Sequence, residues 1–141
     1  MLFPKKVKFR KSHTMRRNPK RDMIASRGIT LAFGSHGLKA TTHARVRSNQ
    51  IESARKVIAR SLGKGGKSWI RIFPDKPFTQ KPAEVKLGKG KGDPVGYEVE
   101  VWPGRMLFEV DGVADALATK TLVSAAKKLP LKAKVVSRHA A

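Results

Sequence analysis

The stretch 61–68 is the first place where residue types and spacing could carry chemistry. It reads S-L-G-K-G-G-K-S and resembles a phosphate-binding P-loop, except that Ser61 stands where the first glycine is required. A P-loop also follows a strand and opens a helix, whereas this stretch is expected to leave a helix and enter a strand. We therefore predict a basic turn between two elements, and no nucleotide site.

A second glycine-rich stretch, Gly88 to Gly92, reads G-K-G-K-G and lacks the G-x-G-x-x-G spacing of a dinucleotide site. Glycine lets the backbone approach another surface closely, and Lys89 and Lys91 supply mobile positive charges. The pattern predicts a loop that approaches a polyanion. A flexible, solvated loop is the alternative.

The histidines and carboxylates do not form a metal site or an acid–base site in the sequence. His13, His36, His43 and His139 show no metal-ligand spacing, and His36 and His43 are expected at turns or on the surface. Glu98, Glu100 and Glu109 alternate on predicted strands, where cross-strand pairing with Lys or Arg is favoured over a catalytic carboxylate pair. The chain has no cysteine. We expect no metal, no cofactor and no enzymatic activity.

The charge balance indicates which partner to expect. Lys and Arg total 31 against 10 Asp and Glu, which gives a net charge of +21. A compact chain with this charge repels itself unless a polyanion neutralises it, and nucleic acid gains affinity from counterion release. RNA is favoured over duplex DNA because the sequence shows no helix-turn-helix, zinc-finger or long basic helix pattern. An architectural DNA-binding protein and an RNA-modifying enzyme are the alternatives.

A membrane partner and a small-molecule substrate are not expected. The longest apolar runs are far below the roughly 20 residues that span a membrane. The start of the chain lacks the apolar segment of a secretory signal, and the absence of cysteine fits a reducing cytoplasm. Its basic, acid-free composition is also compatible with an organelle transit peptide.

Residues 1–27 are predicted to form a basic, extended arm. Its cations up to position 17 are Lys5, Lys6, Lys8, Arg10, Lys11, Arg16 and Arg17, with His13 among them. Pro4 and Pro19 disfavour a continuous helix, and apolar residues are too sparse for the arm to fold alone. Because these cations have no acidic neighbour before Asp22, we expect the arm to order against phosphates.

Two amphipathic helices should position these basic elements. The first is predicted over Ser48–Leu62, with a buried stripe of Ile51, Ala54, Ile58 and Leu62 and with Arg55, Lys56 and Arg60 flanking it. Asn49 and Glu52 resemble a capping box, Glu52 can pair with Lys56, and Gly63 ends the helix. The second is predicted over 111–129, with a stripe of Leu117, Ala118, Leu122, Ala125, Ala126 and Leu129.

The remaining apolar segments predict strands. These are 29–33 and 38–42 around a turn at 34–37, then 68–73, 84–87, a hairpin of 97–102 and 106–110 across Pro103-Gly104, and 131–136. Pro74, Pro77 and Pro82 suggest an irregular segment between them. The order predicts an α+β fold, with two helices packed on a mostly antiparallel or mixed sheet. We expect one domain, in which residues 28–141 form the core and 86–96 a Gly/Lys loop.

Seven blocks of the sequence carry a resemblance to a known family. They are L-F-P-K-K-V-K-F-R-K with His13, F-G-S-H-G-L-K-A at 33–40, N-Q-I-E-S-A-R at 49–55, W-I-R-I-F-P-D-K-P at 69–77, L-G-K-G-K-G at 87–92, P-G-R-M-L-F-E-V-D-G-V at 103–113, and A-A-K-K-L-P at 125–130. Their order and spacing cover essentially the whole chain. They resemble the bacterial large-subunit ribosomal proteins of the sixteenth family.

The resemblance implies a hammerhead-type α+β fold and a structural, non-enzymatic role in translation and late subunit assembly. It implies a cytoplasmic ribosome, with an organellar one as the alternative. The implied partners are large-subunit rRNA, neighbouring ribosomal proteins and the A-site tRNA near the peptidyl-transferase centre, with the P-site tRNA as a further candidate.

Carried over to this chain, the resemblance assigns two sets of residues. The rRNA-binding set is Lys5, Lys6, Lys8, Arg10, Lys11, His13, Arg16, Arg17, Arg55 and Arg60. The tRNA-proximal set is Lys86, Gly88, Lys89, Gly90, Lys91 and Gly92. The chain departs from the family pattern at Lys86-Leu87, where members often carry Arg-Met, at 14–27, and in extra residues around 93–96. Lysine at 86 keeps the charge but loses the planar guanidinium fork.

Overall fold

The architecture is α+β, as the sequence predicted. The computed structural model describes residues 1–14, 18, 20–21 and 23–139. Its elements in chain order are β1 (His36–Ala40), β2 (Ala44–Arg47), α1 (Ser48–Leu62), β3 (Lys67–Ile70), β4 (Lys76–Gln80), β5 (Asp93–Val101), β6 (Met106–Asp111), α2 (Asp115–Ala126) and β7 (Ala133–Ser137).

The strands form two antiparallel sheets instead of one. A four-stranded sheet has the order β3-β6-β1-β7, and a three-stranded sheet has the order β2-β5-β4. The two helices pack against each other, and α2 also contacts β1, β6 and β7 of the larger sheet. Leu38, Ile58, Phe108 and Leu122 are central members of the core that this packing buries.

Helix α1 has the predicted bounds and the predicted buried stripe. It ends where Gly63 adopts φ +64°, a left-handed conformation that glycine accepts without steric cost. The predicted cap was wrong because the helix begins one residue before Asn49. The side-chain Oε1 of Gln50 instead accepts a hydrogen bond from the Arg47 backbone N–H at 2.9 Å.

Helix α2 is shorter than the predicted 111–129. Gly112 adopts φ +79° just before it, and the buried stripe is Ala118, Thr121, Leu122 and Ala125. Leu117 lies outside this stripe and is exposed, so its predicted burial was wrong. Leu129 is buried as predicted, although it follows the helix.

Two strand predictions were wrong because long-range contacts set the local conformation. Residues 29–33 form no strand, because the backbone N–H groups at the end of this segment turn toward the Glu109 carboxylate. Residues 84–87 form turns and bends, and the strand lies earlier, in β4. β4 is an edge strand, so the N–H that Pro77 lacks does not interrupt the sheet.

The predicted hairpin across Pro103-Gly104 was also wrong. β5 and β6 belong to different sheets, and the connection between them is fixed to the end of β1. The Gly104 N–H donates to the Ala40 carbonyl at 2.8 Å, and the Ala40 N–H donates to the Arg105 carbonyl at 2.9 Å. The chain therefore crosses from one sheet to the other at this turn. Neither helix of the described chain is long and apolar enough to cross a membrane.

Candidate RNA-binding surface

The first fourteen residues form neither helix nor strand and lie against the folded body. Leu2 packs on the hydrophobic core, and the Met1 ammonium nitrogen lies 4.0 Å from Glu52 Oε2. The Phe3 ring meets the Tyr97 ring edge-on, with centroids 6.1 Å apart. These contacts attach the start of the predicted arm to both α1 and β5. Its ordering on RNA stays a prediction.

The cations of this segment point to solvent. Lys5, Lys6, Lys8, Arg10, Lys11 and His13 are all exposed. Between the segment and β4 lies an open groove of about 390 Å³, whose lining includes Lys6, Lys8, Asp75 and Lys76. Lys76 is paired with Glu100, so Asp75 offers one carboxylate against the two ammonium groups of Lys6 and Lys8, and the groove carries excess positive charge. The predicted site residues Arg16 and Arg17 lie outside the described part of the chain.

The basic N-terminal segment meets the Gly/Lys loop. The Lys91 ammonium donates a hydrogen bond to the Ser12 carbonyl, and Lys11 Nζ donates to the Lys91 carbonyl at 3.3 Å. The sequence separated these residues into an rRNA-binding set and a tRNA-proximal set. The fold makes Lys11 of the first set and Lys91 of the second set neighbours, and so the exposed cations of residues 1–14 meet those of the loop.

The loop itself projects away from the body at its centre. Gly88 and Gly90 adopt φ +104° and +96°, and a Cβ at either position would meet no atom of the described chain within 4 Å apart from those of the flanking residues. Lys89, between them, has φ +60°, and its side chain is exposed. A Cβ on Gly92, in contrast, would lie 2.8 Å from the Gln80 carbonyl carbon. The loop is therefore anchored at Gly92 and open at Lys89.

Exposed groups also flank this open centre. Lys86 is exposed, and Leu87 is 98% exposed, which leaves an apolar side chain in solvent next to a basic residue. The Lys81 ammonium donates to the Gly88 carbonyl and ties one side of the loop to the end of β4.

The two predicted site residues of α1 differ in their surroundings. Arg60 is exposed near the end of the helix. Arg55 Nη2 donates to Glu52 Oε1 at 2.6 Å, so Glu52 is hydrogen-bonded to Arg55 and not to the predicted Lys56. This hydrogen bond lowers the pKa of Glu52 and offsets the charge of Arg55. Arg60 is thus the freer cation for a phosphate.

The carboxylates of the smaller sheet are paired across strands, as predicted. Lys76 Nζ donates to Glu100 Oε1 at 2.7 Å, and Arg45 Nε lies 3.6 Å from the same oxygen and 3.9 Å from Glu98 Oε1. Burial raises the pKa of Glu100, but the Lys76 hydrogen bond and nearby cations outweigh it and lower the pKa. These acids are used within the sheet, which leaves the cations of the N-terminal segment for an external partner.

Glu109 is the carboxylate whose importance the sequence did not reveal. It is 0% exposed, yet its oxygens accept hydrogen bonds from the backbone N–H groups of Ala32, Phe33 and Gly34 at 3.0, 2.7 and 2.8 Å. Arg71 forms an ion pair with it. Burial raises its pKa, but these hydrogen bonds prevail and lower the pKa below its ordinary value. The only signal in the sequence was an acid inside an apolar strand.

The histidine predictions were partly wrong. His36 is buried, with Nδ1 3.0 Å from Ser35 Oγ and Nε2 3.4 Å from Asp115 Oδ1. It was expected at a turn or on the surface, but it begins β1, whose burial follows from pairing with both β6 and β7. The His43 ring stacks on Trp102 at 4.1 Å. Across the described ranges, no three His, Asp or Glu side chains lie close enough together to hold a metal ion.

Comparisons with known proteins identify the family of this chain. The family model described as "Ribosomal protein L16p/L10e" matches residues 4–136. The chain is 51% identical over 139 residues to the large ribosomal subunit protein uL16 of Psychrobacter arcticus, covering 98% of each chain. It is 50% identical over 140 residues to uL16 of Nitrobacter winogradskyi, covering 99% of each. It is 49% identical over 139 residues to uL16 of Methylibium petroleiphilum, covering 99% of this chain and 98% of the relative. This chain therefore belongs to the L16p/L10e family of ribosomal proteins.

Proposed function

We propose that this protein, a structural constituent of the large ribosomal subunit, binds large-subunit rRNA through its basic N-terminal segment and contacts the A-site tRNA through its Gly/Lys loop. Its family consists of structural ribosomal proteins and not of enzymes. The relatives are bacterial, which supports a role in the cytoplasmic ribosome. The observation that carries the proposal is the contact of Lys11 and Ser12 with Lys91, which brings the cations of the N-terminal segment next to those of the loop.

The electrostatics of the chain support rRNA binding. A net charge of +21 on 141 residues destabilises the compact state of the isolated protein through self-repulsion and favours association with a polyanion. The exposed cations of residues 1–14 face no acid within their own segment. Each of them can therefore neutralise a phosphate and release a counterion, while the contacts of Leu2 and Phe3 keep the segment in register.

The open centre of the loop supports tRNA contact. A Cβ at Gly88 or Gly90 would meet open space, and Lys89 is exposed between them. Shape-and-phosphate recognition of a folded RNA needs such close backbone approach together with a mobile cation. The P-site tRNA is the second candidate for the same contact, because an exposed loop tip can meet either neighbouring ligand.

The first test replaces Lys89 by Gln and Lys64 by Gln in separate strains. Both lysines are exposed and flanked by glycines, so the two changes remove equal charge from similar surroundings. Lys89→Gln is expected to slow tRNA accommodation several-fold. The stoichiometry of the protein in purified large subunits is expected to stay unchanged. Lys64→Gln is expected to leave both quantities unchanged. Accommodation at the wild-type rate with Lys89→Gln would refute tRNA contact by the loop.

The second test concerns the link between segment and loop. Because Lys91 donates to the Ser12 carbonyl, Lys91→Gln is expected to reduce both tRNA accommodation and subunit incorporation. Deletion of residues 1–17 is expected to impair incorporation and late assembly most strongly. Incorporation is measured as the stoichiometry of the protein in salt-washed subunits, and late assembly is measured from sedimentation profiles. Normal stoichiometry after the deletion would contradict rRNA anchoring by this segment.

A further inference from the structure

An aromatic and arginine-lined cleft lies beside β3, with Leu2 of the N-terminal segment and Arg55 of α1 among its lining residues. It has a volume of about 630 Å³ and is lined by residues that include Trp69, Arg71, Phe73 and Arg105. This volume is within the roughly 300–1,000 Å³ range typical of pockets for small ligands. Beside it, the ring of Phe33 stacks on Trp69, with centroids 5.9 Å apart and planes 18° from parallel.

We propose that this cleft and the Phe33 ring at its edge hold one unpaired nucleotide of RNA, with its base stacked on the Phe33–Trp69 pair and its phosphate on Arg105. The inference rests on the proposed binding of large-subunit rRNA and names a specific point of contact within it.

The exposure of Phe33 is the first argument for a base. Phe33 is 57% exposed, although contact of a phenylalanine ring with water is unfavourable. Single-stranded nucleic acids stack their bases on such exposed rings, because every base has a π-face. A net charge of +21 makes a polyanionic partner the fitting occupant, and an apolar peptide a poor one.

The rigidity of the aromatic pair is the second argument. The Phe33 N–H donates to Glu109 at 2.7 Å, and Trp69 lies directly opposite Glu109 in the pairing of β3 with β6. Arg71, in an ion pair with Glu109, places its guanidinium carbon 5.3 Å from the Phe33 ring centroid. One buried carboxylate thus fixes the backbone of Phe33 and the side chain of Arg71 before any ligand binds, and Trp69 lies on the strand next to it. Glu109 is a positioning residue and does not contact the nucleotide.

The charges of the cleft identify the phosphate contact. The charge of Arg71 is offset by Glu109, and that of Arg55 by Glu52. Arg105 instead donates to the carbonyls of Arg27 and Arg71, at 3.2 and 3.3 Å. Carbonyl groups hold a guanidinium in place without neutralising it. Arg105 therefore keeps its positive charge for a phosphate.

The test measures binding of two short single-stranded probes by fluorescence anisotropy. One is oligoadenylate, and the other is an abasic oligonucleotide of equal length and charge. Phe33→Leu is expected to weaken oligoadenylate binding roughly tenfold and to leave abasic binding unchanged. Phe78→Leu is the matched control, since that ring contacts Arg47 and lies outside both the cleft and the N-terminal segment. Equal losses with Phe78→Leu, or equal losses on both probes with Phe33→Leu, would overturn the stacking site.

The phosphate contact has a separate readout. Arg105→Gln is expected to weaken both probes and to lower the slope of log K against log salt by about 0.7, the value for one phosphate on a single strand. An unchanged slope would overturn the role of Arg105. A Trp102→Phe background leaves Trp69 as the single tryptophan, and the base is expected to quench its fluorescence. Absence of quenching would place the base elsewhere.

The controls also separate this inference from the proposed function. Binding of purified large-subunit rRNA and incorporation into subunits are measured with the same variants. If the wild-type chain binds rRNA normally but shows no preference for bases over abasic sites, the proposed nucleotide site is wrong and the proposed function stands. Failure of the wild-type chain to bind rRNA would overturn the proposed function itself.

Discussion

At the residue scale, Glu109 shows how one buried charge can be accommodated. A carboxylate without partners would be costly in the core, but four donors surround this one. Three of them are consecutive backbone N–H groups, whose positions fix the path of the chain before β1. Glu109 therefore determines the conformation of a segment more than seventy residues away in sequence.

Replacing Glu109 by Gln is expected to lower the free energy of unfolding by about 3 kcal/mol, because Arg71 loses its counter-charge and a backbone N–H faces an amide N–H₂ group. Glu100→Gln is the control, since Glu100 is also paired with basic residues but is partly exposed. Its cost should stay under about 1 kcal/mol. Urea unfolding measures both values. Equal costs would show that burial does not distinguish the two carboxylates.

The lowered pKa of Glu109 predicts how stability depends on pH. A carboxyl whose folded pKa lies below its unfolded value stabilises the protein fully above the unfolded pKa. This stabilisation is lost as the pH falls through the folded pKa. The free energy of unfolding should therefore decrease as the pH is lowered below about 4.5. The decrease should be steeper in the wild type than in Glu109→Gln. Parallel profiles for the two proteins would contradict the ionised state of Glu109.

At the element scale, α2 tests which residues of an apolar pattern reach the core. The sequence placed Leu117 and Leu122 on one buried stripe, but the helix begins at Asp115, and its orientation buries Leu122 fully and leaves Leu117 39% exposed. Leu122→Ala is expected to reduce the free energy of unfolding by about 2–5 kcal/mol. Leu117→Ala is expected to cost less than about 1 kcal/mol. Thermal or urea unfolding measures both losses. A larger loss with Leu117→Ala than with Leu122→Ala would contradict this orientation of the helix.

At the scale of the whole molecule, the net charge governs the behaviour of the isolated protein. Repulsion among 31 basic side chains opposes folding, and 10 acids offset only part of it. At 0.1 M salt, the repulsion between exposed charges more than about 10 Å apart is largely screened. The melting temperature of the free protein is therefore expected to rise with sodium chloride, while its affinity for RNA falls. A melting temperature that falls with salt would mean that internal ion pairs outweigh the repulsion.

The sequence by itself determined the features that depend on neighbouring residues or on composition. Helix α1 could be placed at both ends, because its apolar period and Gly63 are local signals. The basic N-terminal segment and the Gly/Lys loop follow from composition in the same way. The α+β class follows from the order of the elements, even though several strand bounds were wrong.

The tertiary structure decided everything that depends on contacts between distant residues. The strand β4, the division into two sheets and the place of His36 follow from pairing partners that a linear pattern does not name. The same holds for the contact of Lys11 and Ser12 with Lys91, and for the meeting of Phe33, Trp69 and Arg71 around Glu109. The physical reason is that a buried acceptor is stabilised by any donor that reaches it, whatever the distance between the two residues along the chain.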